Sequence, residues 1–82
     1  MVEGHTDQQN IATERFASNW ELSSARAAAV VRLLIAQGVQ PIRLVALGRA
    51  DTVPAALGDT PEAMAKNRRV TIFIQTDRSI VR

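Results

Sequence analysis

A chain of 82 residues, 46% hydrophobic and 22% charged, is the size of one small domain, and at that size folding buries only about 60% of the surface of the unfolded chain, so the core is thin and the stability marginal. Without cysteine there is neither a disulfide framework nor a thiolate metal site, and the redox compartment stays open. The net charge of +2 is split between −2 over residues 1–65 and +4 over residues 66–82, but with one tryptophan, two phenylalanines and no sustained basic face this is not the footprint of a nucleic-acid-binding protein.

The chain opens on Val2-Glu3-Gly4-His5, which reads as the end of a strand cut from something longer. No apolar run approaches the roughly 18 residues of a membrane span, and the N-terminus lacks the basic and apolar regions of a signal peptide. Ser18-Asn19-Trp20-Glu21 fits a capping box, with the serine hydroxyl accepting from the N–H three residues on and the glutamate reaching back to the cap N–H. A helix over about 18–37 follows, whose expected core stripe is Leu22, Ala25, Ala29, Leu33 and Ala36, widened by Val30 and Leu34. Gly38 suits the left-handed position that ends a helix, and Pro41 cannot continue one.

Residues 42–47 predict a short strand. Asp51, Pro54, Gly58 and Asp59 supply turn chemistry for a loop over 49–59. Thr60-Pro61-Glu62 starts a second helix over about 61–66, with threonine as N-cap, proline at the first helical position and glutamate favoured by the helix dipole. Val70, Ile72 and Ile74 alternate with Thr71, Phe73 and Gln75, the period of a strand with one face on the core, and residues 77–82 read as a frayed tail. The order strand, helix, strand, helix, strand predicts a single α/β (α+β) domain.

Chemistry-bearing residues are few. His5 and Asp7 are two apart at a strand end, but no third metal ligand accompanies them, so His5 reads as a hydrogen-bonded structural residue and no metal or other cofactor is expected. Ser18, Ser23 and Ser24 are accounted for by capping and helix surface, and no G-x-S-x-G elbow surrounds them, so enzyme activity is not expected. What remains are polar groups at element ends: Thr6 and Asp7, Asn19 and Arg26, and Asn67-Arg68-Arg69, where binding groups concentrate. Arg26 runs its stem beside the apolar stripe. It either pairs with Asp7 or Glu21, or joins Asp7 in a charge pair that holds a zwitterionic ligand, and spacing alone does not choose.

Gly4-His5-Thr6-Asp7, then Ser18-Asn19-Trp20-Glu21-Leu22-Ser23 with Arg26-Ala27, then Gly38-Val39, Pro41 and Arg43-Leu44, Thr60-Pro61-Glu62 and Asn67-Arg68-Arg69-Val70 closely resemble the OmpA-like peptidoglycan-binding domain over residues 2–76, in the form of its flagellar stator branch, the MotB and MotD proteins. The resemblance implies a β-α-β-α-β mixed sheet with helices on one side, lacking the family's first elements, and non-catalytic binding of peptidoglycan peptide stems. It implies that Asp7, Asn19, Arg26 and Arg68 hold the stem diaminopimelate, with Thr6 and Asn67 positioning or supplementing them. It further implies a periplasmic domain of an inner-membrane-anchored parent, a homodimer and a MotA-like stator subunit as partner. A general envelope anchor and a structural oligomerisation fragment are the alternative readings.

Overall fold

The computed structural model describes residues 1–9, 12–13 and 15–74; the expected tail over 77–82 and the last residue of the expected final strand lie outside the described residues. The elements follow the predicted order: β1 (Val2–His5), α1 (Asn19–Ala36), a short 3-10 turn (Pro41–Arg43), β2 (Ala46–Gly48), α2 (Pro61–Asn67) and β3 (Arg69–Ile72). β1 is the central strand of a three-stranded sheet, parallel to β2 and antiparallel to β3, so the sheet is mixed, as expected. The strand expected over 42–47 begins later, because Pro41 opens a 3-10 turn first.

The helix ends are set locally. Ser18 adopts extended backbone and its hydroxyl accepts from the Trp20 N–H at 3.1 Å, while the same hydroxyl donates to the Glu21 carboxylate at 2.7 Å. Ser18 is therefore the N-cap, as expected, but the reciprocal capping box is not formed: its hydroxyl takes the N–H two residues on, and Glu21 accepts from that hydroxyl instead of from the Ser18 N–H. Gly38 takes φ 105, the left-handed geometry that lets the chain leave α1. Thr60 accepts from the Ala63 N–H at 3.1 Å, with Pro61 in the first turn of α2.

The helix face differs from the expected one. α1 buries Asn19, Ser23 and Ala27, whereas Leu33 is 60% exposed, Ala29 and Ala36 are exposed, and Leu22 and Ala25 are half-buried. The cause lies in the sheet. Gly4 and Gly48 are partners in the β1–β2 register, and together they make a flat patch without side chains. A Cβ on Gly4 would collide with the Ser23 carbonyl, and one on Gly48 would collide with the Ser24 hydroxyl and lie 2.7 Å from the Ser24 amide nitrogen. α1 therefore sits backbone-close on the sheet, and only small residues fit between.

Among the described residues the buried apolar ones are correspondingly few: Val2, Ala27, Ala50 and Ala63. Val2 and Gly4 face α1, so Glu3 and His5 occupy the opposite face of β1. Val70 and Ile72 share the face of Gly4 and Val2 by register, but β3 is an edge strand. α1 lies mainly over β1 and β2. Ile72 and Ile74 stay exposed instead of forming the expected core face.

Candidate functional site

β1 delivers the backbone into Thr6 and Asp7, and both are buried. The Thr6 N–H donates to the Ala50 carbonyl at 2.8 Å, and its hydroxyl donates to the Asp7 carbonyl at 3.0 Å. Ala50 itself is left-handed, with φ 52, a geometry that costs an alanine on the order of 1 kcal/mol. It persists because the Ala50 N–H donates to the buried Ser23 hydroxyl at 3.0 Å while its carbonyl holds Thr6. Ser23, expected on the helix surface, thus ties α1 to the turn that aims Asp7.

One Asp7 carboxylate oxygen accepts from the Gln9 N–H at 3.0 Å, and the other accepts from Arg68 Nη1 at 2.8 Å. The Asp7 side chain is 9% exposed and that of Arg68 45%, so the pair has a buried acid and a cation whose outer edge faces solvent. A guanidinium has five N–H donors, and the solvent-facing ones remain for a second carboxylate. Asn19, the first residue of α1, donates through Nδ2 to the Gln9 carbonyl at 2.9 Å and more loosely to the Asp7 carbonyl at 3.5 Å. Its Oδ1 is buried with no partner among the described residues. A buried acceptor without a donor carries a desolvation cost.

Of the six expected site residues, the structure brings Thr6, Asp7, Asn19 and Arg68 into one hydrogen-bonded group. Arg26 stands two turns along α1 from Asn19, on nearly the same side of the helix. It is half-buried and makes no ion pair or hydrogen bond among the described residues; the Asp7 carboxylate takes Arg68 instead, and Glu21 takes Ser18. Asn67 is a clamp on the β2–α2 loop. Its Oδ1 accepts from the Ala55 and Ala56 N–H groups at 2.8 and 2.9 Å, and its Nδ2 donates to the Ala56 carbonyl at 3.0 Å.

Beside this group lies an open recess of about 420 Å³, with Thr6 and Asn67 in its wall and Gln8, Asp51, Leu57 and Asp59 around them. The two aspartates were legible only as turn formers; the loop brings their carboxylates to a cavity whose lining includes no basic side chain among the described residues.

On the opposite face of β1, His5 is 2% exposed. Its Nε2 lies 3.3 Å from Glu3 Oε1, whose other oxygen accepts from Arg49 Nη2 at 3.1 Å. Burial, and then the Arg69 charge opposite it across the sheet, lower the His5 pKa below 6.5; Arg49 adds to this, and Glu3 opposes it by its charge and its hydrogen bond. The unfolded chain therefore binds a proton before the folded one does, and stability is greatest above pH 6.5 and falls as the pH drops from 6.5 toward the folded pKa. The slope in that window is at most about 1.4 kcal/mol per pH unit. Urea unfolding of wild type and His5→Gln between pH 7 and 5 is expected to show a shallower decline for the variant; parallel declines would remove His5 as the cause. Among the described residues no cluster of histidine and carboxylate side chains could hold a metal ion.

Residues 1–68 match the OmpA family. The chain belongs to the OmpA family. The uncharacterised protein YtxE of Bacillus subtilis is 47% identical over 96% of this chain and 33% of its own length. The C-terminal domain of Helicobacter pylori MotB superposes with TM-score 0.85 at 41% identity, over 93% of this chain and 58% of that one. The cell wall anchor of the Pseudomonas aeruginosa T6SS superposes with TM-score 0.78 at 49% identity, over 84% of this chain and 48% of that one. The chain spans about a third of the length of the curated relatives it matches. Its mixed sheet with two helices is the OmpA-like fold of the MotB domains. Among the described residues no helix is long and apolar enough to cross a membrane.

Proposed function

We propose that this OmpA-family domain is a non-catalytic peptidoglycan-binding module that holds the diaminopimelate of a peptide stem. The observation that carries the reading is the buried Asp7 carboxylate, bonded to a half-exposed Arg68 and flanked by the Asn19 Oδ1, buried without a partner among the described residues. A diamino acid centre is a zwitterion: its ammonium needs acceptors, which Asp7 and Asn19 Oδ1 supply, and its carboxylate needs a planar cation, which the outer edge of Arg68 supplies. Arg26 adds a second cation on the Asn19 side of the site. Thr6 and Asn67 act by positioning.

The likeness to MotB supports a role as the periplasmic cell-wall anchor of a flagellar motor stator, within a longer, membrane-anchored parent that dimerises and works with a MotA-like subunit. The likeness to a secretion-system wall anchor favours the more general reading, in which attachment to the wall is common to the family and the machine attached differs. Each charge-assisted contact is worth about 1.5–3 kcal/mol, and ordering costs consume much of that. A single stem then binds weakly, and firm attachment comes from linking two or more modules to many stems.

Co-sedimentation with purified sacculi tests the reading. Asp7→Asn, which keeps an acceptor for the Gln9 N–H, and Arg68→Ala are each expected to weaken retention about 10- to 100-fold, and free diaminopimelate is expected to compete. Sacculi whose stems carry lysine at that position lack the second carboxylate and are expected to bind less. Unchanged retention by folded Asp7→Asn and Arg68→Ala proteins would refute the site.

A further inference from the structure

α1 is longer than the sheet it rests on. Ser23 lies against Gly4 and Asn19 reaches the Asp7 loop, so the helix runs antiparallel to β1. From Ser23 to Ala36 there is about 20 Å of helix, whereas from Gly4 back to Met1 there is only about 10 Å of strand. β2 begins and β3 ends at that same level, because Ala46 and Ile72 are the partners of Val2. The last turns of α1 and the 3-10 turn therefore project beyond the sheet, at the end of the domain away from Asp7.

This projecting end is apolar and basic. Leu33, Ile35 and Val45 are exposed, and Ile42 in the 3-10 turn is 92% exposed. Arg32 and Arg43 are exposed beside them and make no ion pair among the described residues. Residues 22–50 contain no aspartate or glutamate. Glu3 in β1 is buried and bonded to His5 and Arg49, and Asp51 and Asp59 line the recess at the other end. The backbone of the tip is satisfied internally: the carbonyls of Leu33, Leu34 and Ile35 accept from the Gln37, Val39 and Gly38 N–H groups, and those of Gln40 and Pro41 accept from Arg43 and Leu44. Its approach to an apolar phase therefore leaves few polar groups stranded.

We propose that this end docks on the surface of an anionic phospholipid bilayer, with Ile42 and the end of α1 entering the interface while Arg32 and Arg43 meet lipid phosphates. The docking does not depend on the stem site, which lies at the opposite end and stays free to engage the wall. Charge favours a lipid surface over a second copy of the chain, since two such ends would set arginine against arginine with no acid to pair, whereas a phosphate surface complements both. Shape favours it over a folded partner. Leu33 and Ile35 are about 200° apart around the helix, so they point to opposite sides of the projecting end, and a fluid interface closes round both. Arginine stems lie along apolar tails while their guanidinium groups stay at headgroup level, and binding of this kind grows with buried apolar area and with attraction to anionic lipid.

The full chain is sedimented with vesicles of equal parts phosphatidylglycerol and phosphatidylcholine, and with vesicles of phosphatidylcholine alone. Binding is expected to be at least about tenfold tighter to the anionic vesicles and to fall steeply with added salt. Arg32→Gln combined with Arg43→Gln is expected to weaken it about 25-fold, near fivefold for each arginine, and Ile42→Gln about tenfold. All three side chains are exposed, so thermal midpoints and sacculus binding should stay at the wild-type level. Trp20, the only indole, stands about 22 Å of helix from Ile35, so its emission should not move when vesicles are added. An indole at the tip, Ile42→Trp in a Trp20→Phe background, should shift to the blue on anionic vesicles. Failure of wild type to bind either vesicle, equal binding to both, or undiminished binding by the double arginine variant would overturn the proposal and leave the stem site untouched. A blue shift of Trp20 itself would also overturn it, by putting the opposite end on the bilayer. So would self-association of the wild type that Ile42→Gln abolishes, which would make a second copy the occupant.

Discussion

Gly4→Ala is expected to lower stability by at least about 3 kcal/mol, at the upper end of overpacking effects, against a total of about 4–12 kcal/mol for a chain of this size. The new methyl group would enter the Ser23 carbonyl of α1, with the Ser23 carbonyl carbon 2.9 Å and its Cα 3.3 Å away. These are backbone atoms, so no rotamer change relieves the clash and the helix as a whole must move off β1. Ser23 would then lose its bond to Ala50, and the turn that fixes Thr6 and Asp7 would loosen with it. Thermal unfolding followed by far-UV circular dichroism should show a midpoint at least about 12 °C lower. Gly38→Ala is the control: there a Cβ meets nothing within 4 Å and only the left-handed φ of 105 is strained, a cost of about 1 kcal/mol. Equal effects of the two substitutions would mean that α1 does not rest on the glycine patch.

That glycine patch also explains what the sequence conceals. Helix ends were legible because caps are local chemistry: Ser18, Gly38, Thr60 and Pro61 act within a few residues of themselves. The buried face of α1 was not, because hydrophobic periodicity weighs side-chain size, and here the large residues are on the outside. Asn19, Ser23 and Ala27 are buried because Gly4 and Gly48, 44 residues apart in the chain, pair in register beneath them. Glycines inside two short strands were the available signal, since they mark close backbone approach. The candidate site was expected from resemblance, and spacing alone did not join its residues. Asp7 and Arg68 are 61 residues apart, and it is the antiparallel return of β3 beside β1 that brings them together.

Asn67→Ala is expected to cost about 2–4 kcal/mol, from three lost hydrogen bonds at roughly 1 kcal/mol each and a small void where a 3% exposed side chain stood. The consequence is uneven across the molecule. α2 would keep its Thr60 cap, and the sheet its ladder, but the N–H groups of Ala55 and Ala56 would lose their shared acceptor. The β2–α2 loop carries Asp51, Leu57 and Asp59 around the recess, so its release would widen the cavity next to Asp7 and shift the residue that leads into Arg68. Amide hydrogen exchange resolves the two effects: protection at Ala55 and Ala56 is expected to collapse while protection along β1 falls only by the global loss of stability. Asn67→Asp separates the roles of the two amide atoms. It retains an acceptor for both N–H groups but replaces the donor to the Ala56 carbonyl, 3.0 Å away, by a second oxygen, so above its pKa it should protect the two amides more than Asn67→Ala while remaining less stable than wild type. Sacculus binding by Asn67→Ala should then weaken through loss of order in the loop, and adding diaminopimelate should restore part of the lost protection, because a ligand that binds only the ordered site stabilises that order by mass action.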